Sequence, residues 1–388
     1  MSFLHALPAV IGIAALAVAA GYSLMMLLAI TVWRLRSSSP PTTAERPPVS
    51  LLKPLCGAEP SLYEHLRTFC LQDYPEYQII FGVRDPADPA RAVAERLAAE
   101  FPSLPIDIVV NPRQHGNNRK ISNLINMLER ARHEMLVMAD SDAFVGPDYL
   151  ATVTAPLLDP RVGLVTCTYR AVPTDRIWSR LGAMYMNEWY LPSVLVAWLF
   201  GYEGYVSGQT MCLRHDTLRA IGGFCAIADH LADDHRLGEL VRGLRLRVVL
   251  SPYLVEGVHH EQNLASLARH ELRWLRTIHV LRPWSFRMIF LSFSLPLAIL
   301  GLLLAAAAGL HSAAVWMLFG ITAVIRLALH YRHGLTDDDP HPFSDLWLLP
   351  VRDGLLCWVW FRSFFTSRIT WRGAEFDVDA DGFMRKPT

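Results

Sequence analysis

An uncharged apolar segment near the start restricts what this chain can fold into more than any other feature. From Pro8 to Trp33 no residue carries a charge, and the segment is long enough to cross a hydrocarbon layer of about 30 Å. No Lys or Arg precedes it and it is longer than a cleaved signal, so we expect a retained transmembrane anchor over residues 1–36. Arg34 and Arg36 follow at once, and by the positive-inside rule they place the next domain in the cytoplasm.

Further apolar stretches lie in the last quarter of the chain. Residues 288–309 and 312–330 predict two helices that form a hairpin through the membrane. Residues 346–365 are also apolar, but they carry three charged side chains. Because a charge at mid-membrane is costly, we expect this stretch to be interfacial or re-entrant. The prediction is a multi-pass protein with membrane segments over 283–366 and a cytoplasmic tail over 367–388.

Between the membrane segments, strand-like and helix-like patterns alternate. This alternation predicts an α/β domain over residues 49–282, joined to the anchor by a Ser-, Pro- and Thr-rich linker over 37–48. The predicted strands are 49–53, ending at Pro54, then 77–83, 106–110, a strand leading to Asp140, and 163–169, and the predicted helices are 59–71, with Pro60 near its start, 89–101, 119–132 and 264–281. Residues 177–200 predict a long helical segment, either a core helix or an amphipathic helix at the membrane surface.

Composition excludes some functions. The 36 basic and 36 acidic side chains leave no net charge, so nothing steers the chain towards nucleic acid. The six cysteines show no Cys-x-x-Cys spacing. Since most of them lie in the predicted cytoplasmic domain, we expect free, buried thiols rather than disulfides.

Aspartates follow two of the predicted strands. Asp140 and Asp142 come just after a buried, apolar run, at the end of a parallel strand where α/β sheets bind ligands. In an extended segment residues i and i+2 point to the same side. The two carboxylates can therefore converge on one hard divalent cation, or they are solvated turn residues. Asp85 is either a turn former before Pro86 or a hydrogen-bond partner for a base or ribose.

Two polar segments open predicted helices. Lys120 lies near a helix N-terminus, where the helix dipole disfavours a cation, and this misfit is explained if a phosphate shares the site. Asp234 follows Asp233 at the start of another helix. It is either a helix-capping carboxylate or a general base. His230 and His235 lie close by, but the spacing lacks a third ligand for zinc.

A basic helix precedes the membrane hairpin. Arg269, Arg273 and Arg276 lie three or four residues apart and so share one helix face. This face is a basic stripe towards solvent or lipid head groups. Alternatively, Arg273 and Trp274 form a diphosphate clamp, with the guanidinium as a fork of donors and the indole as a wall.

As a set, these residues resemble a known enzyme family. Asp85, Asp140-Ser-Asp142, Asp234 and Arg273-Trp274 resemble the D, DxD, D, (Q/R)xxRW series of family 2-type inverting glycosyltransferases. Short sequence segments are similar to those of the ceramide glucosyltransferase branch, at residues 49–55, 73–75, 85–89, 120–124, 163–165 and 369–372. Those at 113–120, 229–234 and 270–274 look most like the hopanoid-biosynthesis glycosyltransferases of that branch. The resemblance covers nearly the whole chain after residue 48.

The resemblance implies a GT-A fold, a UDP-sugar donor and Mg²⁺ or Mn²⁺ as cofactor. It implies that Asp85 contacts the uridine, that Asp140 and Asp142 hold the metal on the diphosphate, that Asp234 is the catalytic base, and that Arg273 and Trp274 grip the diphosphate or the acceptor. His270 stands where the family has Gln or Arg, and we include it and Lys120 among the expected substrate contacts.

The implied reaction moves N-acetylglucosamine from UDP-N-acetylglucosamine to bacteriohopanetetrol at the bacterial inner membrane, with the catalytic domain in the cytoplasm. A ceramide glucosyltransferase that uses UDP-glucose is the first alternative. A non-catalytic membrane protein that binds nucleotide sugars or lipid is an alternative of another class. A polysaccharide synthase is a further one, although two or three apolar segments after the catalytic domain are few for a translocation pore.

Overall fold

The computed structural model describes residues 3–37, 45–59, 61–174, 176–334, 344–365, 368–371, 374–379 and 381–385. They form two compact units. The sheet unit consists of residues 36–172, 201–258 and 377–388, and the helical unit of 1–35, 173–200 and 259–376. Residues 173–200 and 259–282, predicted within the α/β domain, thus belong to the helical unit.

The strands, numbered in chain order, are β1 (Val49–Leu55), β2 (Tyr77–Val83), β3 (Ile106–Val110), β4 (Met135–Met138), β5 (Ala143–Phe144), β6 (Val162–Pro173), β7 (Met211–Arg214), β8 (Arg247–His259), β9 (Arg368–Trp371), β10 (Ala374–Val378) and β11 (Met384–Arg385). The α-helices are α1 (Phe3–Ser37), α2 (Leu62–Cys70), α3 (Ala90–Glu100), α4 (Arg119–Leu128), α5 (Tyr149–Thr154), α6 (Ile177–Tyr185), α7 (Leu191–Leu199), α8 (His215–Ala220), α9 (Asp233–Gly243), α10 (Leu264–Leu281), α11 (Pro283–Met288), α12 (Ser294–Ala307), α13 (Ala313–Gly334) and α14 (Leu348–Arg362). A π-helical turn, Met186–Tyr190, joins α6 to α7, so the predicted helical segment over 177–200 is confirmed.

The large sheet has the strand order β3-β2-β1-β4-β7-β6-β8-β5. Strands β3, β2, β1 and β4 are parallel, and β7 runs antiparallel to β4. From β1 the chain moves outward to β2 and β3 and then returns to β4 on the other side. Ligands bind outside the carboxyl ends of the strands at such a reversal. The predicted α/β architecture is confirmed, and the reversal places a crevice beyond Leu55 and Met138.

The predicted end of the first strand at Pro54 is wrong. β1 continues to Leu55, and Pro54 lies opposite Gly82 of β2. On its other side β1 pairs with β4 only as far as Leu52 and Met138. Proline lacks an N–H, but past Leu52 that side has no ladder for it to interrupt, so the strand tolerates it. Pro60, predicted near the start of the helix over 59–71, lies outside the described residues.

In the helical unit, two of the described helices are long and apolar enough to cross a membrane, namely Ala6–Arg36 within α1 and Ala313–Tyr331 within α13. The continuous helix predicted over 288–309 is wrong, because the segments Pro283–Ser292 and Ser294–Ala307 meet at a 72° bend. Pro296 gives the physical reason, since its ring would clash with the carbonyl of Ser292 in an uninterrupted helix. The membrane hairpin itself stays a prediction.

Helices α1 and α12 approach each other closely at two glycines. A Cβ added at Gly12 would lie 2.7 Å from the carbonyl oxygen of Gly301, and one at Gly301 would lie 2.7 Å from that of Gly12. Leu16 and Ala298 are buried in the same contact. Small residues allow such close backbone packing between apolar helices, where few polar contacts are available.

Helix α14 explains the charges in the apolar stretch over 346–365. Arg352 is 2% exposed, and its guanidinium donates to both carboxylate oxygens of Glu271 at 2.6 and 2.8 Å. Asp353 accepts from Arg326 of α13 at 3.1 Å. The helix has 15 residues, about 22 Å at 1.5 Å per residue, which is short of a hydrocarbon layer of about 30 Å. Its interfacial or re-entrant placement stays a prediction.

Candidate functional site

Asp140 and Asp142 lie just past β4, beside the crevice at the strand reversal. The expectation of an extended segment is wrong here, because the amide of Ala143 donates to the carbonyl of Asp140 at 3.3 Å and closes a turn. The two carboxylates are nevertheless neighbours. The pKa of Asp142 is raised, first by burial and then by the negative charge of Asp140. Negative charge is therefore concentrated where the sheet presents its ligand-binding edge.

Lys120 supplies the positive charge that faces these carboxylates. Its Nζ lies 2.6 Å from Oδ1 of Asp140 and 3.7 Å from Oδ2 of Asp233. Burial alone would lower the pKa of Lys120, but Asp140, Asp233 and Asp234 together raise it above the usual value for lysine. The ammonium group therefore stays charged at the centre of the site, and the predicted misfit at the start of α4 has an electrostatic explanation.

Asn118 positions Lys120. It caps α4, because its side-chain oxygen accepts from the amide of Ile121 at 3.1 Å. Its side-chain amide donates to the carbonyl of His230 at 2.9 Å and to Oδ1 of Asp233 at 3.2 Å. One residue thus ties the start of α4 to the segment before α9. The sequence contained a signal for it, since Asn directly before a helix is a preferred cap.

Asp234 lies in the first turn of α9 and both its oxygens accept backbone hydrogen bonds. Oδ2 accepts from the amide of Gly208 at 3.0 Å, and Oδ1 from the amide of His235 at 2.7 Å. Burial, followed by the neighbouring charge of Asp233, raises the pKa of Asp234 to about 6. An ionised carboxylate has about four acceptor positions, so capacity for a further proton donor remains. A pKa in this range suits a general base that works near neutral pH.

The turn before β7 forms another side of the site, and sequence reasoning assigned it no role. A Cβ at Gly208 would lie 2.8 Å from Nζ of Lys120 and 3.1 Å from Oδ2 of Asp140, so only glycine leaves this space open. The side-chain amide of Gln209 donates to Oδ1 of Asp142 at 3.2 Å. Its buried Oε1 has no hydrogen-bond partner within the described part of the chain. The small residues of the turn let the polar groups converge.

Lys53 is a second lysine near these carboxylates, and the sequence pattern assigned it no role. It is fully buried at the end of β1. Its Nζ donates to the carbonyl of Asp140 at 2.5 Å and lies 3.6 Å from the centroid of the Phe69 ring. Burial lowers its pKa to about 7, against the opposing effect of Asp140 and Asp142. A lysine in an otherwise apolar strand was the available signal, and here it holds the backbone of Asp140 in place.

The donor set suits a hard divalent cation only with help from a substrate. Asp140 and Asp142 offer carboxylate oxygens, and the unpartnered Oε1 of Gln209 points to a missing polar neighbour. Among the residues that the structure describes, no group of three or more His, Cys, Asp or Glu side chains could hold a metal ion. Mg²⁺ is commonly bound by one or two carboxylates together with substrate phosphates, and the residues fit that arrangement.

Asp85 lies past the end of β2. Its carboxylate is exposed and accepts from the amide of Ala87 at 2.9 Å, as a turn former does. A shallow cleft that includes its neighbour Arg84 is also lined by Asn111 and Arg113. A nucleotide contact for Asp85 stays a prediction.

The other predicted substrate residues lie on α10 in the helical unit. Nδ1 of His270 lies 2.8 Å from Oε1 of Glu261, and its ring lies 4.1 Å from that of Trp274. Trp274 stacks on Tyr185 with ring centroids 5.7 Å apart. Arg273 is half-buried on the same helix. His270 therefore supports the indole of Trp274, and the substrate roles of all three residues stay predictions.

Comparison with known proteins gives the family. The model of glycosyl transferase family 21 matches residues 11–384. Ceramide glucosyltransferase 1 of Caenorhabditis elegans is 22% identical over 357 residues, which cover 87% of this chain and 73% of that one. A ceramide glucosyltransferase of Komagataella phaffii is 31% identical over 101 residues, 25% of this chain and 20% of that one. The mannosyltransferase PcManGT from Pyrobaculum calidifontis, solved with GDP-Man and Mn²⁺, has a TM-score of 0.53 at 20% identity and covers 90% of this chain and 99% of its own, which shows the same fold. The chain belongs to glycosyl transferase family 21.

Proposed function

From this membership in glycosyl transferase family 21, we propose that the protein is an inverting glycosyltransferase that moves a hexose from a UDP-sugar to the hydroxyl of a membrane lipid. UDP-glucose and ceramide are the favoured donor and acceptor, because the curated relatives are named ceramide glucosyltransferases. The second candidate pair of donor and acceptor is UDP-N-acetylglucosamine with a hopanoid such as bacteriohopanetetrol. The sequence segments at 113–120 and 270–274 favour it.

The observation that carries the proposal is the position of Asp234. Its carboxylate accepts from Gly208, whose Cα faces both Lys120 and Asp140. A base therefore lies beside the groups that would receive a diphosphate. A nucleotide-binding protein without catalytic activity needs the phosphate contacts, but it has no need for a carboxylate with a pKa of about 6 beside them.

In the proposed reaction Asp234 removes the proton from the lipid hydroxyl. The hydroxyl oxygen forms a bond to the anomeric carbon while the bond from that carbon to the diphosphate oxygen breaks. Attack from the face opposite the diphosphate converts an α-linked donor into a β-glycoside, as in other inverting carboxylate mechanisms. Lys120 faces the leaving diphosphate and stabilises the negative charge that develops there.

Asp140 and Asp142 would hold Mg²⁺ or Mn²⁺ on the donor. When bound, the cation supplies Lewis-acid stabilisation of the leaving UDP. The mannosyltransferase of the same fold was solved with Mn²⁺, and the carboxylates here are the hard oxygen ligands that such ions prefer. The apolar helices would keep the protein at the bilayer, where an amphiphilic acceptor presents its head group.

The test is a transfer assay with the purified full chain in lipid nanodiscs. UDP-glucose and UDP-N-acetylglucosamine are each combined with ceramide and with bacteriohopanetetrol, and products are identified by mass spectrometry. We expect a β-linked glycolipid, with most product from UDP-glucose and ceramide. More product from the hopanoid pair would favour the second candidate. Sugar transfer to water alone, or donor binding without transfer to either lipid, would contradict the proposal.

A further inference from the structure

A short hairpin late in the chain packs against the two loops that lead to Lys120 and Asp234. It is formed by β10 and β11, and its residues 377–379 and 381–385 belong to the sheet unit. The sequence pattern assigned them only to a predicted tail. We propose that these residues, the tail hairpin, position Lys120 and Asp234 for reaction. The catalytic meaning of that positioning rests on the proposed function.

The tail hairpin pairs with the backbone of the loop just before α9. The amide of Met384 donates to the carbonyl of Asp229 at 2.8 Å, and the amide of Leu231 donates to the carbonyl of Gly382 at 3.0 Å. The hairpin thus adds a short strand to a loop, a mode of recognition that works through main-chain hydrogen bonds. Because α9 begins at Asp233, two residues after Leu231, this pairing helps to fix where the helix of the proposed base begins.

Side chains reinforce the pairing at its centre. His230 and Phe383 form an antiparallel bridge, and the centroids of their rings lie 4.2 Å apart. His230 is 5% exposed, and Phe383 at 39% covers its ring on the solvent side. The carbonyl of His230 accepts from the side-chain amide of Asn118, the cap of α4, at 2.9 Å. One residue therefore lies between Phe383 and the start of the helix that carries Lys120.

The loop before α4 is joined to the same hairpin. The side-chain amide of Asn117 donates to the carbonyl of Met384 at 2.9 Å, and the backbone amide of Asn117 donates to Oδ1 of Asp229 at 2.7 Å. A Cβ at Gly116 would lie 2.4 Å from the carbonyl oxygen of Ala228, so the two loops are in close backbone contact. Three segments that are distant in sequence meet here, and the site lysine lies three residues further on.

The tail hairpin acts through these loops and not by contact with the reacting groups. Among the contacts described above for Lys120 and Asp234, none comes from the hairpin. Both side chains must nevertheless be placed accurately, one facing the leaving diphosphate and the other the acceptor hydroxyl. A misplacement of about 1 Å can cost about 10²-fold in rate. Loosening of the loops is therefore expected to slow the reaction before it unfolds the protein.

The first test is hydrogen exchange of the full chain in lipid nanodiscs, with and without UDP and Mn²⁺. Coupling between two sites is reciprocal, so a hairpin that holds the loops in their donor-binding arrangement must itself be stabilised by bound UDP. We expect UDP with Mn²⁺ to slow exchange at the amides of Leu231 and Met384 by at least about fivefold. Exchange in α3 should not change. Equal rates at Leu231 and Met384 with and without bound UDP would overturn the proposal.

The second test compares kcat with stability in variants. Phe383→Ala removes the ring that packs on His230 and should lower kcat about tenfold or more, measured well below the melting temperature with the more active donor and acceptor pair. Phe383→Tyr keeps the ring and should restore the rate. Asn117→Ala breaks the bond to Met384 and should act in the same direction as Phe383→Ala. Asp381→Ala, at an exposed position in the turn of the same hairpin, is the matched control and should leave kcat unchanged.

A purely structural hairpin gives a different result. Phe383→Ala would then melt at a lower temperature and keep its kcat below that temperature. This outcome, or an equal loss of kcat in Phe383→Ala and Phe383→Tyr, would refute the positioning role.

Failure of this proposal is distinguishable from failure of the proposed function. If the chain glycosylates a lipid and Phe383→Ala turns over normally, the hairpin proposal fails and the proposed function stands. If UDP protects the hairpin amides but the chain transfers sugar to no lipid, the hairpin positions a nucleotide site and the proposed function fails. Absence of UDP binding in calorimetry of the unaltered chain would refute both.

Discussion

Asp233 and Asp234 are adjacent carboxylates that the fold uses differently. Asp233 accepts from the side-chain amide of Asn118 and lies 3.7 Å from the ammonium of Lys120, so it helps to position these two side chains. Asp234 accepts only from backbone amides among the hydrogen bonds described. One residue of sequence therefore separates a positioning group from the proposed base, and this difference can be measured.

Replacing Asp234 with Asn should reduce kcat by about 10²–10⁴-fold, the usual contribution of a general base. Binding of the UDP-sugar, measured by calorimetry, should change little. Asn has the same shape as Asp, and its one side-chain oxygen can still accept one of the two backbone hydrogen bonds. Asp233→Asn is the matched control, and it should raise KM for the donor more than it lowers kcat. Normal turnover by Asp234→Asn would remove this residue from the base role.

The raised pKa of Asp234 predicts a pH dependence. Its folded-state pKa of about 6 lies above the usual value, so below about pH 6 the carboxyl binds a proton and cannot accept one from the acceptor. We expect kcat/KM to fall nearly tenfold for each pH unit below about 6 and to level off above about 7. Melting temperatures measured across the same pH range are the control, and a constant melting temperature would exclude unfolding as the cause of the lower rate. A flat profile between about pH 5 and pH 8 would be inconsistent with a base of this pKa.

The metal proposal for Asp140 and Asp142 predicts a response to chelation. EDTA should stop transfer, and added Mg²⁺ or Mn²⁺ should restore it, because two carboxylates hold such an ion weakly without substrate phosphates. Asp142→Asn should require a higher metal concentration for half-maximal rate. Full activity in chelator, with metal content of the protein checked by mass spectrometry, would exclude a metal role for this pair.

At the scale of elements, α10 and α14 are joined by a buried ion pair. Glu271 is 1% exposed and Arg352 is 2% exposed. Removal of one charge leaves the other buried without compensation, whereas removal of both leaves an apolar contact. The pair therefore determines how α14 packs within the helical unit. In the sequence, the charge of Arg352 indicated only that the apolar stretch should not cross the mid-membrane.

We expect Glu271→Gln to lower the free energy of unfolding by about 3–5 kcal/mol, the usual cost of leaving a buried charge without its partner. The double change Glu271→Leu with Arg352→Met should recover most of that loss. Arg161→Ala removes an exposed pair with Asp159 and should cost no more than about 1 kcal/mol. Thermal unfolding in detergent compares the variants. Equal stability of Glu271→Gln and the unaltered chain would contradict the role of the pair.

At the scale of the molecule, Arg34 and Arg36 after the first apolar segment predict that the sheet unit lies on the cytoplasmic side of the membrane. Cys56 and Cys225 are exposed cysteines of that unit. A membrane-impermeant maleimide should label them in inverted membrane vesicles and leave them unlabelled in right-side-out vesicles. Cys56→Ser with Cys225→Ser is the control for assignment of the label. Labelling of right-side-out vesicles would contradict a cytoplasmic sheet unit.

The order of strands and helices from β1 to β4 followed from the sequence, because hydrophobic periodicity and turn residues act between near neighbours. Strands β5 and β8 of the same sheet were not predicted. The same pattern indicated Asp140, Asp142, Lys120 and Asp234, since strand ends and helix starts are local features. The apolar length of residues 8–33 alone predicted a membrane helix, because backbone hydrogen bonds must be satisfied internally in lipid.

Only the tertiary structure brought Lys53, Gly208 and Gln209 to Asp140 and Asp142, because their convergence depends on pairing between strands distant in sequence. It alone paired Arg352 with Glu271 across 81 positions of sequence. Such features depend on which side chains meet after folding. Periodicity identifies the buried face of a helix, but it does not identify the groups that the face will meet.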